Sequence, residues 1–121
     1  MRVNKTYKEI NPELLYSEIK DYILKQGVII GTSKMETYSS ASNSSSFTSR
    51  GTLTFNIQDK AGKPKGECIS VHIVGSAREE TKLMLDIDEK LFPQEKVSAL
   101  QADLDFVFGS YEVKTPEPVG S

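Results

Sequence analysis

The chain contains one cysteine and one histidine, Cys68 and His72, four residues apart. A cysteine nucleophile needs its base within about 3 Å. Residues 67–74 alternate apolar and polar side chains, which predicts a strand with both residues on its polar face. Four strand residues span roughly 13 Å, so the pair cannot form a dyad, and zinc would need three or four such ligands. We therefore predict no catalytic residue, and we place His72 on a sheet surface.

Two aspartates, Asp86 and Asp88, are the strongest acidic candidates. In a predicted strand over 82–88 they share a face about 6.6 Å apart. With a carboxylate from a neighbouring strand they could hold magnesium or calcium, but the glycine turn and spacing of a calcium loop are absent. We therefore predict no metal site and no cofactor. His72, Asp86 and Asp88 share the nominal polar face and are our candidate ligand-binding residues.

A basic turn is formed by Lys60, Lys63 and Lys65. It is not a phosphate-binding P-loop, because no Gly-Lys-Ser/Thr sequence leads into a helix. The whole chain has a formal net charge of -2 and a pI of about 5.4. That balance is not the basic footprint typical of nucleic-acid-binding proteins, so the sequence predicts no nucleic-acid partner.

The length of 121 residues suits one domain. Hydrophobic residues make up 37% of the chain and charged residues 26%, which predicts a packed core. The sequence has no apolar run of about 18 residues that could span a membrane, and its start lacks the pattern of a signal peptide. We expect a cytoplasmic protein with one α+β domain over residues 1–113 and a flexible tail over 114–121.

Two helices are predicted. The first covers 12–26: Asn11 is a good N-cap, Pro12 suits the first helical position, and Gly27 supplies the stop. The second begins at Pro93 and carries apolar residues at helical spacing as far as Gly109. Alternation of apolar residues near its end leaves open a fifth strand over 103–113 after a shorter helix.

Four strands are predicted between the helices, over 28–38, 51–58, 67–74 and 82–88, because apolar and polar residues alternate in the last three. A serine-rich loop over 39–46 should be the most mobile internal segment. The fold class is therefore α+β, with an N-terminal helix, a four-stranded antiparallel meander sheet, and a C-terminal helix packed on one sheet face. The residues expected to be largely buried are Leu15, Ile19, Leu53, Phe55, Ile57, Val71, Leu85, Leu100 and Leu104.

A helix that leads into an antiparallel meander resembles the layout of cystatin-like domains. The glycines at predicted strand edges and turns are Gly27, Gly31, Gly51, Gly62 and Gly66. Their positions are similar to those in the small soluble domain of cytochrome oxidase assembly proteins, although a final helix departs from that pattern. Neither resemblance implies an activity.

The absence of a catalytic pattern favours a small non-enzymatic protein-interaction module: an accessory, adaptor or inhibitor of a cytosolic bacterial-type system, with a protein partner. The polar sheet face or an edge strand would contact that partner. The alternative is a small-molecule binder or hydrolase with a pocket between the helix and a curved sheet. The two hypotheses differ in whether the space between helix and sheet is filled or hollow.

Overall fold

The computed structural model describes residues 1–39, 47–76 and 80–113. Five strands form one antiparallel sheet with the spatial order β1-β5-β4-β3-β2. The α+β class, the antiparallel sheet and the two helices are confirmed. The elements are β1 (Arg2–Lys8), α1 (Pro12–Leu24), β2 (Ile29–Ser39), β3 (Phe47–Gln58), β4 (Pro64–Gly75), β5 (Glu80–Ile87) and α2 (Gln94–Phe108), followed by a 3-10 turn, Gly109–Tyr111.

The prediction of four strands with a helix first is wrong, because β1 precedes α1. β1 pairs with β5 from Arg2 opposite Asp86 to Lys8 opposite Glu80. It therefore extends the β2–β5 meander beside its last strand. The sequence pattern hid β1 because Lys5 occupies a position in the strand where an apolar residue is expected.

The helices follow the predicted signals closely. The Asn11 side chain accepts a hydrogen bond of 2.8 Å from the backbone N–H of Glu13, which satisfies one of the free donors at the start of α1. α1 ends at Leu24, slightly before the predicted end, and Gly27 has a φ of +89° in the turn that follows. Because α2 continues to Phe108, the alternative of a strand over 103–113 is wrong.

Both helices lie on one face of the sheet, because their buried residues belong to the same apolar cluster as the inward-facing strand residues. The residues expected to be largely buried are so, except Ile57, which is only partly buried. Ile57 lies where the β3–β4 register shifts near the end of β3. The core also contains large residues that the sequence did not single out, namely Tyr7 and Phe92.

Two predictions concern segments beyond the ranges given above. Ser39 is the last residue of β2, and the rest of the predicted mobile loop, 40–46, lies outside the described residues. The predicted tail, 114–121, lies outside them as well. Among the helices of the described ranges, none is long and apolar enough to cross a membrane.

Candidate interaction surface

The face of the sheet opposite the helices is the main open surface of the described domain; we call it the outer face. Its side chains alternate with the buried ones along each strand, as expected for a sheet covered on one side. They are half-buried or exposed, and most are polar. The outer face includes Arg2, Asn4, Thr6, Thr32, Lys34, Glu36, Arg50, Thr52, Thr54, Ser70, His72, Val74, Lys82, Met84 and Asp86.

His72 lies near the middle of the outer face. It is half-buried on β4, with Thr52 of β3 on one side and Met84 of β5 on the other. Together with Val74 and Lys82 it lines a depression of about 510 Å³ that extends to β1. The depression therefore combines the apolar side chains of Val74 and Met84 with the imidazole ring of His72 and the ammonium group of Lys82.

Asp86 lies between β4 and β1, opposite Ser70 and Arg2. Its Oδ1 is 2.8 Å from Arg2 Nε. The hydrogen bond from Arg2 lowers the pKa of Asp86, and the charges of Arg2 and His72 lower it further. Asp86 is thus an ionised carboxylate already engaged by a guanidinium group.

Asp88 organises the turn after β5. Its backbone N–H donates to the Cys68 carbonyl at 2.9 Å, and its carbonyl accepts from Phe92 N–H at 2.8 Å. Its carboxylate accepts a hydrogen bond of 3.0 Å from Lys90 N–H. These bonds give Asp88 a local role in chain reversal, as expected for an aspartate in a turn.

The three candidate ligand-binding residues fall into two neighbouring sites. Asp86 and Asp88 line a depression of about 360 Å³ together with Glu67, while His72 lines the larger one. Within the described ranges no three His, Cys, Asp or Glu side chains are grouped so that they could hold a metal ion. Ligand binding by these residues remains a prediction.

Cys68 does not share a face with His72, contrary to the sequence expectation. The β3–β4 register shifts so that Phe55 pairs with Ile69 and the next residue of β3 pairs with Glu67, which leaves Cys68 as an extra residue in a bulge. Its side chain is 1% exposed, and its thiol donates to the Phe55 carbonyl at 3.4 Å. Burial raises the pKa of this thiol.

Sequence reasoning missed the contribution of β1 to the surface. Arg2 pairs with Asp86 on the outer face. Lys5 lies on the inner side of β1, where its side chain is 14% exposed and lies 3.4 Å from Asp105 and 3.2 Å from Glu112. The signal that could have revealed β1 is the polar residue at every second position from Arg2 to Lys8.

No protein-family model, curated protein or solved structure matches the chain. The resemblance in layout to cystatin-like domains therefore carries no function to it.

Proposed function

We propose that the chain is a small non-enzymatic protein-interaction module whose outer face binds a protein partner. The observation that carries the proposal is the contrast between a filled inner side and an open outer side of the same sheet. A cytoplasmic accessory, adaptor or inhibitory role fits a domain of this kind.

The filled inner side favours this function over a pocket between helix and sheet. Ile19 of α1 and Leu100 of α2 are fully buried, and so are Phe55 and Val71 on the strands beneath them. Their side chains occupy the space in which a small-molecule binder of the alternative kind would hold its ligand. Protein interiors are close-packed and rarely leave voids larger than a water molecule.

The central depression of the outer face combines apolar and polar side chains. Val74 and Met84 provide apolar contact area in its central depression, with His72 and Lys82 beside them. Protein interfaces typically combine an apolar centre with a polar rim that can form hydrogen bonds. The chemistry of the outer face therefore supports contact with another protein.

The first test maps the contact by crosslinking in cells. A photoreactive amino acid is placed at Thr52 or Met84 on the outer face, and at exposed Ser98 on α2 as a control. We expect the two outer-face positions to crosslink the same protein, and the α2 position to leave it unlabelled. Labelling of that protein only from Ser98 would place the contact on the helices.

The second test measures binding to the partner that crosslinking identifies, purified without the crosslink. Met84→Arg should weaken its binding at least about tenfold, as expected for a residue near the centre of an interface. The control, Phe106→Arg, changes an apolar residue that is 92% exposed on α2 and should leave the affinity unchanged. Equal affinities for Met84→Arg and the original protein would refute the proposed surface.

A further inference from the structure

The two edges of the sheet differ in how they are covered. Residues after α2 cover the edge of β1 that faces away from β5. Tyr7 forms a bridge with Glu112, and Val113 N–H donates to the Thr6 carbonyl at 2.7 Å. β2 is the other edge strand, and within the described ranges no strand lies beyond it. An edge strand presents N–H and C=O groups that can pair with another strand.

The regular part of the β2 edge is nearly symmetric about Met35. From Thr32 to Ser39 the pairing with β3 continues without a break. Before Thr32 the register shifts, which marks a bulge at Gly31. A bulge bends and twists a strand, so an incoming strand would find a regular partner only along Thr32–Ser39, with Met35 close to its midpoint.

Two opposite charges flank Met35 on the outer face. Lys34 Nζ lies 2.5 Å from Glu36 Oε1, and the two side chains are 66% and 33% exposed. If a second β2 pairs antiparallel with Met35 opposite Met35, Lys34 of each copy faces Glu36 of the other. Opposite charges across strands stabilise pairing, and like charges disfavour it.

Neighbouring registers lack this match. Side chains alternate between the two faces with a period of two. In a shifted register, the outer faces of both copies therefore stay on the same side only when another residue, such as Lys34 or Glu36, takes the place of Met35 at the centre of the pairing. Centring the pair on Lys34 places two lysines opposite each other, and centring it on Glu36 places two glutamates opposite each other. The charges therefore select the register centred on Met35.

On the helix-covered face of β2, the Met35 side chains of the two copies can also contact each other in this register. Met35 is half-buried, and its Cε lies near Gly51, beside the Tyr16 ring. Opposite copies of Met35 would meet next to this apolar wall. Met is well suited to fill an irregular gap of this kind.

We propose that a second copy of this chain pairs with β2 through antiparallel strand addition centred on Met35. The same charges deter strands that lack complementary charges at these positions. The two sheets then form one continuous sheet, with both outer faces on the same side. This dimer goes beyond the proposed function and does not depend on it.

Sedimentation equilibrium on the full chain tests the dimer. The contact involves one strand from each copy and belongs to the small interfaces, below about 1,200 Å², that form transient complexes, so concentrations up to about 1 mM are needed. We expect a concentration-dependent dimer. Lys34→Glu and Glu36→Lys should each weaken it by about tenfold or more, because each replaces two opposite-charge pairs by like-charge pairs.

Mixing the two variants gives the sharpest result. Lys34→Glu carries two acids at these positions and Glu36→Lys carries two bases, so an equimolar mixture should form a heterodimer at least as readily as the original chain forms its dimer. Lys82→Glu reverses an exposed charge on β5 and serves as the matched control, which should leave the dimer unchanged. A mixture that stays monomeric would overturn the proposed register.

Disulfide trapping tests the register by an independent route. In the proposed pairing the two Met35 Cα atoms lie about 4.5–5.5 Å apart, within the range of a disulfide. Met35→Cys should therefore form a crosslinked dimer on mild oxidation, while Ser33→Cys, whose copies lie roughly 13 Å apart along the strands, should not. The native Cys68 is buried, and far-ultraviolet circular dichroism verifies that each variant is folded.

A chain that remains monomeric at about 1 mM refutes the proposal, and so does equal crosslinking of the two cysteine variants. Met84→Arg, which should weaken partner binding on the outer face, should leave the dimer intact. The dimer and the proposed function can thus fail separately.

Discussion

Phe55 offers the most direct test of how the sheet is anchored to the helices. Its side chain is fully buried on β3, the strand with most contact to α1. Phe55→Ala removes the ring from water-excluded space and leaves a cavity, which together should lower the free energy of unfolding by about 3–5 kcal/mol. A domain of this size has roughly 5–15 kcal/mol of stability, so the loss is a large fraction of the total.

Urea unfolding followed by circular dichroism measures this loss. With an m-value of about 1.5 kcal/mol/M, the unfolding midpoint should fall by about 2–3 M urea. Phe106→Ala is the matched control, because Phe106 is exposed on α2 and alanine favours helices, so the change should stay within about 0.5 kcal/mol. A loss below about 1 kcal/mol for Phe55→Ala would contradict the inward orientation of this residue.

Three further predictions concern single sites. Gly51→Ala should destabilise the fold by about 1–3 kcal/mol in the same urea assay, because a Cβ atom there would lie 2.7 Å from the Tyr16 ring; an unchanged midpoint would show that the ring can move aside. The pKa of Asp86 is lowered in the folded protein, so its ion pair stabilises the fold above the unfolded pKa, and this stabilisation is lost as the pH falls through the folded value. The stability difference between the original protein and Asp86→Asn should therefore shrink as the solution is acidified. A difference independent of pH would exclude this linkage. The buried thiol of Cys68, with its raised pKa, should react with a thiol reagent much more slowly in the native protein than in urea, and equal rates would contradict its burial.

The predicted elements succeed where one local signal dominates. α1 begins at Pro12 because Asn11 caps it, and β3, β4 and β5 follow the alternation of apolar residues that the core requires. β1 does not show this alternation because Lys5 lies on its inner side. The ammonium group of Lys5 is satisfied by Asp105 and Glu112, which are about 100 residues away in the sequence. A local pattern does not contain such distant partners.

In the candidate site, too, the sequence pattern predicts which side chains share a face but not which partners they contact. The polar face that holds His72 and Asp86 follows from alternation, but the guanidinium group of Arg2 beside Asp86 depends on β1. The inward turn of Cys68 depends on a bulge, and no glycine or proline at that position marks it. Side-chain partners across strands are thus decided by register, which alternation alone does not specify.

The placement of β1 has a consequence for how the chain reaches its native state. The four strands of the meander pair with sequence neighbours, whereas the residues paired between β1 and β5 are 72 to 84 positions apart. Closing so long a loop costs more conformational entropy and slows folding, so we expect β1 to dock after the meander has formed. Until then the edge of β5 is open, and a nascent or refolding chain is most exposed to misassembly in the interval before its own first strand returns to cover that edge.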